Sequence, residues 1–207
     1  MQRCLSIVLL VLGVSCLTGG MLRAQELVEE PSTDKMFPAT VAFDYAGTHY
    51  ELTVTGLAVR SKFFVKVYGI AHYMNVGGFA DTDTALAAAL DGRYAKQITM
   101  DFARGVDAEK IQNAYREGFE KNATEEELAA IESSIDTFVG YFQEKVEENE
   151  QYVLRWLPGG IVLTTVRGRE MEPIANETFA RVLWKIWLGK DSIVDRKKLV
   201  RMAVTEE

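Results

Sequence analysis

The chain has almost no cysteine, and its only two, Cys4 and Cys16, fall within the first 24 residues. Beyond them no disulfide framework, thiolate nucleophile or thiolate metal site can be built. Histidine is nearly as scarce: His49 and His72 are the whole complement, with no HExxH pair, so a zinc centre has no ligand set. No GxSxG elbow or phosphate-binding loop is present, and Gly77-Gly78 lacks the rest of a nucleotide fingerprint. Basic residues are in deficit, 23 Lys+Arg against 30 Asp+Glu, which argues against a nucleic-acid footprint. Nothing repeats at a fixed period, no Ser/Gly/Pro-rich linker divides the chain, and no apolar run reaches the ~20 residues that span a bilayer as a helix.

What the first residues do contain is ordered. Arg3 precedes an apolar run over residues 5–17, then Thr18-Gly19-Gly20 and Leu22-Arg23-Ala24 lead into an acidic stretch. That is the layout of a secretory signal peptide, so residues 1–24 are expected to be removed after Ala24 and the protein to be exported, to the periplasm. A retained N-terminal anchor and a lipid-modified Cys16 are the alternatives. Cleavage would take away Arg3 and Arg23 and no acid, leaving 21 basic residues against 30 acidic ones. Residues 25–36 read as a polar leader, and 37–207 as one domain long enough to bury its own core.

Strand signals fill residues 40–74. Segments 40–44 and 48–54 alternate around Ala46-Gly47, a hairpin turn. Residues 58–60 and then 63–74 follow Gly56. In the second of these, FFVKVYGIAHYM, Phe63, Val65, Val67, Gly69, Ala71 and Tyr73 share one face, while Phe64, Lys66, Tyr68, Ile70, His72 and Met74 share the other. Both faces are apolar, which predicts a central strand. A short helix over 81–90 and a strand over 96–102 come next. Asp107 is a candidate N-cap for a helix with the stripe Ile111, Ala114, Tyr115, Gly118, Phe119. Thr124 and Glu127 form a capping box ahead of a second stripe from Leu128 to Phe142. Strands over 152–157 and 161–166 flank Pro158-Gly159-Gly160. Asn176 caps a helix that stops at Gly189, and Ser192 and Asp195 are expected to open a short last helix. The order predicts an α+β fold: a mostly antiparallel sheet with helices gathered on one face.

Most constellations have plain explanations. His72 alternates with apolar residues and reads as a hydrogen-bonded core or rim histidine. The acidic clusters 125–127 and 147–148 read as solvated surface, and Trp156, Trp184 and Trp187 as core. Arg60 stands apart. It lies in an apolar strand region beside Lys62 and Lys66, with no acid between Glu51 and Asp81. A half-buried guanidinium needs an anion or several acceptors. With the Tyr68 hydroxyl it could clamp a carboxylate or phenolate at the end of an apolar pocket; equally, a distant Glu or backbone carbonyls could satisfy it.

The segment TGLAVRSKFFVKVYGIAHYM resembles the signature hairpin of the chalcone isomerase-like family, and in particular a bacterial exported branch of the chalcone isomerase/fatty-acid-binding fold. The RGVDAEKIQNAYREGFEKN helix, the PGG hairpin and the helix ending Trp187-Leu188-Gly189 fit the same order. The resemblance implies an open-faced β-sandwich, a large antiparallel sheet under a layer of helices with a ligand cleft between. Arg60 matches the family's cleft arginine. Tyr68 falls where the isomerases carry a catalytic threonine, Lys110 and Glu117 where they carry tyrosine and asparagine, and Ile186 and Trp187 where they carry Thr or Ser and Met. Of the polar catalytic set only the arginine is kept, and without those donors the water network for chalcone cyclisation is gone. Pairing Arg with Tyr is similar to the family's non-catalytic, fatty-acid-binding branch. The expectation is an exported protein binding a small amphipathic anion through Arg60 and Tyr68, with Lys110, Ile186 and Trp187 lining the cleft and no cofactor. The alternative is an intramolecular lyase or isomerase on another substrate, with Arg60 and Tyr68 catalytic; a partner-binding role with a collapsed cleft is the third.

Overall fold

The computed structural model describes residues 25–205, so the expected signal peptide lies outside the described residues. Residues 25–36 are more than a polar leader. Leu27–Glu30 (β1) and Lys35–Pro38 (β2) form an antiparallel hairpin. Its polar residues satisfy one another: the Glu30 carboxylate accepts from the backbone N–H groups of Ser32 and Thr33 and from the Thr33 hydroxyl. Phe37 is thereby set, fully buried, against the sheet.

Thr40–Tyr45 (β3) and Thr48–Lys62 (β4) pair around Ala46-Gly47, both at positive φ as the two-residue hairpin turn requires. Val65–Met74 (β5) returns beside β4, and Phe63 and Phe64, expected to begin that strand, instead make the turn. Thr82–Ala89 (α1), Lys96–Phe102 (β6), Ala108–Asn122 (α2), Glu125–Val139 (α3), Gln151–Leu157 (β7) and Ile161–Val166 (β8) follow. Two-residue strands Arg169–Glu170 (β9) and Ile174–Ala175 (β10), then Glu177–Leu188 (α4), complete the regular elements. All ladders are antiparallel, and the sheet runs β10-β8-β7-β6-β5-β4-β3 with β9 on β8. The doubly apolar β5 is therefore interior, flanked by β4 and β6.

Caps fix where the helices start. Asp81 accepts from the Thr84 N–H, Thr124 and Glu127 exchange both bonds of a capping box, and Asn176 accepts from the Phe179 N–H. Asp107 occupies the N-cap of α2 but makes no capping bond; its carboxylate takes the Lys110 ammonium instead. Helix α4 is apolar nearly all round because it lies between the sheet and the α2–α3 pair, with Trp184 and Trp187 among its buried residues. The main core thus joins the helices to one face of the sheet, and a smaller cluster under the β1–β2 hairpin covers part of the other. This is an α+β, open-faced antiparallel sandwich. The expected last helix is reduced to turns and a 3₁₀ segment, Arg201–Ala203.

One irregularity places the site. The β4–β5 register slips between Val54 and Gly56, so Thr55 is a bulge. Ahead of it, Leu52 and Val54 face the smaller cluster; beyond it, Ala58 faces the helices. A one-residue insertion reverses which face each side chain takes. Without it, Arg60 would point away from the helix layer.

Candidate functional site

Arg60 and Tyr68 are directly opposed across the β4–β5 ladder, on the helix-covered face. Arg60 is half-buried and donates from Nη1 to the Ile193 carbonyl at 2.9 Å. Among the described residues no carboxylate forms an ion pair with it. A backbone carbonyl accordingly meets part of its need, and among the described residues the other guanidinium N–H groups have no side-chain partner.

Tyr68 is buried, and its oxygen accepts from Trp187 Nε1 at 3.1 Å. Burial pushes its phenol up to about 12, against the opposing pull of the Trp187 bond and the Arg60 charge. Tyr68 is thus a neutral donor near pH 7, not a phenolate base. Two further tyrosines stand beside it. Tyr115, from α2, is raised well above 10 by burial and by proximity to Tyr68 and Tyr152. Its hydroxyl has only a weak, 4.0 Å contact to Met100 Sδ. Tyr152, from β7, is pushed to about 12 by burial, and its buried hydroxyl has no partner. Rings link the three: Tyr68 meets Phe102 edge-on at 5.4 Å and Phe102 meets Tyr152 at 4.9 Å, while Tyr115 stacks on Phe142 at 4.8 Å and Phe142 lies 5.2 Å from Tyr152. Buried polar groups left unsatisfied are costly. Of these phenols Tyr68 is the one opposite Arg60, and its hydroxyl, which accepts from Trp187, keeps its proton to donate.

The other expected cleft residues divide. Trp187 is fully buried and sits 6.1 Å, edge-on, from Tyr115. Ile186 is also buried, but it packs on Gly118, where an added Cβ would lie 2.8 Å from Ile186 Cδ1. It is a contact between α2 and α4. Lys110 needs correcting: it is exposed and paired with Asp107 at 2.7 Å. Glu117, seven residues on, shares that solvent face. The inward face of α2 carries Ile111, Tyr115, Gly118 and Phe119, so neither Lys110 nor Glu117 lines the cleft. Tyr152 was missed because an alternating strand shows no sign that its hydroxyl lacks a partner. Two surface hollows, of about 390 and 360 Å³, lie by Arg116 and Glu132 and by Tyr141 and Arg167; neither includes Arg60 or Tyr68.

A model of the chalcone isomerase-like family matches residues 35–199. The chain belongs to that family. No curated protein matches its sequence. Among solved structures it is similar to a fatty-acid binding protein of Arabidopsis thaliana, with 16% identity and a TM-score of 0.67, over 86% of this chain and 98% of that one. At that identity the likeness is one of fold. In this chalcone isomerase-like protein the helix-covered face between Arg60 and Trp187 is therefore the candidate site.

Next to it, the bulge carries a buried polar knot. The Thr55 hydroxyl lies 2.6 Å from His72 Nδ1 and 2.8 Å from the Leu199 carbonyl, while His72 Nε2 is buried without a partner. Thr55 has one proton. If it goes to Leu199, His72 is the neutral tautomer that donates from Nδ1. Burial and the nearby Lys96 charge hold His72 down to about 3. A depressed value means that the unfolded chain binds the extra proton, so this stability is present above about 6.5 and is lost as pH falls toward 3. Urea unfolding at pH 7 and pH 5 should show a loss of about 2 kcal/mol that His72→Gln removes. An equal loss in both proteins would refute it.

Proposed function

We propose that the protein binds a small amphipathic anion, such as a fatty acid, without cyclising chalcones. The carboxylate would meet Arg60 and Tyr68 while the tail enters between the sheet and α4. One observation carries this reading: a guanidinium without an acidic partner among the described residues lies opposite the buried Tyr68 phenol, whose oxygen accepts from Trp187 and whose proton is unspent. The fatty-acid binding protein of the same fold lends support. Tyr68 favours binding over the lyase or isomerase reading, because a phenol held near 12 donates readily but is a poor base. The layout of residues 1–24 supports export as the setting, with binding in the periplasm.

A charge-assisted hydrogen bond contributes roughly 1.5–3 kcal/mol. Arg60→Ala should accordingly weaken fatty-acid binding by about tenfold or more, with Arg60→Lys in between because it loses the planar fork. Titration of delipidated protein with a fluorescent fatty acid reads this directly. No binding at roughly tens of micromolar, or equal binding by Arg60→Ala, sinks the proposal. A second reading, a packed module that binds a partner protein, is favoured by Trp187 and Tyr115 filling the space beside Tyr68.

A further inference from the structure

Phe63 and Phe64 are the most exposed large apolar side chains among the described residues, at 85% and 105% of full exposure. They form the two-residue turn of the β4–β5 hairpin at φ of 49° and 65°. Such turns are normally made by Asn-Gly or Gly-containing pairs, and bulky side chains enter that region only at a cost. Neither ring joins either core cluster, so the fold gains nothing from them. Val65, 42% exposed, extends the apolar tip.

The flanks are basic. Arg60, Lys62 and Lys66 lie on the same hairpin, and no carboxylate occurs in residues 52–80. Arg104 stands at the same end of the sheet, next to Ala103, whose N–H donates to the Val67 carbonyl. Lys66 reaches the Ser32 carbonyl in the β1–β2 turn, where Glu30 and Asp34 stand nearby. In a chain of net charge −7, residues 60–66 of this turn carry three basic residues and no acid.

We infer that the β4–β5 tip is a membrane-contact site that seats on an anionic lipid surface, Phe63 and Phe64 entering the headgroup boundary while Lys62 and Lys66 stay at the phosphate level. Aromatic residues below and lysines above is the interfacial arrangement, and anionic lipid supplies the complementary charge. A protein partner fits less well. A stable interface buries about 800 Å² on each side, more than a two-residue turn offers, whereas a bilayer needs no matching shape. This inference stands apart from ligand binding at Arg60.

The test uses the full chain carrying Phe64→Trp, with vesicles of brominated phosphatidylcholine, with or without about one-third phosphatidylglycerol. Native Trp156, Trp184 and Trp187 are buried, so the wild-type signal can be subtracted. The tip tryptophan is expected to shift to the blue and be quenched by the anionic vesicles. In the same background, Phe63→Ser and Lys62→Glu should each raise the lipid needed for half-quenching by about tenfold, with near-UV circular dichroism unchanged. An unquenched tip overturns the inference, even if residues 1–24 attach the chain. Equal quenching by neutral vesicles overturns it too, as does a Phe63-dependent dimer in sedimentation with no quenching.

Discussion

Gly56→Ala is expected to destabilise the fold by about 3 kcal/mol or more. A Cβ at position 56 would lie 2.0 Å from the Lys198 carbonyl oxygen and 2.7 Å from Leu199 C. Both are backbone atoms, so no rotamer change relieves the clash and the 198–199 segment must lift away. Lifting it breaks the Thr55 bond to the Leu199 carbonyl and uncovers Leu199 and Val200, both fully buried. Gly77→Ala is the control. It has nothing within 4 Å of its Cβ position and needs no left-handed backbone, so it should be neutral or slightly stabilising. Chemical denaturation of both variants gives the comparison, and an unchanged midpoint for Gly56→Ala would contradict the packing described.

Trp187→Ala is expected to cost about 4 kcal/mol, the range for emptying a buried indole site. It removes the Nε1 donor to Tyr68 and leaves an apolar void beside Tyr115. The informative measurement adds a ligand. If the Arg60–Tyr68 face receives an amphipathic anion, the tail can occupy that void and a fatty acid should raise the melting temperature of Trp187→Ala more than that of the wild type. If the space is simply core, no chain length will restore the loss. Trp187→Phe, which keeps much of the volume and removes the N–H, separates the hydrogen bond from the filling.

Much of this architecture was readable from the residues. Alternation, turn glycines and the caps at Thr124 and Asn176 report local physics, and the structure follows them, while Asp107 takes the N-cap position without a capping bond. The pairing of Arg60 with Tyr68 was legible in the hairpin segment. What was not legible depends on contacts distant in sequence. Gly56 marked a break, yet nothing local shows that β4 continues through it with its faces exchanged. The β1–β2 hairpin is held by Glu30 turning back on its own loop, in a segment whose composition looks like a leader. On α2 the apolar stripe through Ile111, Tyr115 and Phe119 already named the inward face, and Lys110, a 100° step from Ile111, was placed in the cleft by the family resemblance against that stripe.

The bond from Thr55 to Leu199 also has a meaning in time. Every strand from β3 to β8 lies beside its neighbour in sequence, so the sheet grows by closures much shorter than the Thr55–Leu199 one, the longest running through α2 and α3 between β6 and β7. The Leu199 contact spans 144 residues, and closing so long a loop is unfavourable until the sheet exists to receive it. It therefore belongs on the native side of the folding barrier. The Gly56→Ala penalty should appear as faster unfolding with a nearly unchanged refolding rate, which stopped-flow measurements would resolve.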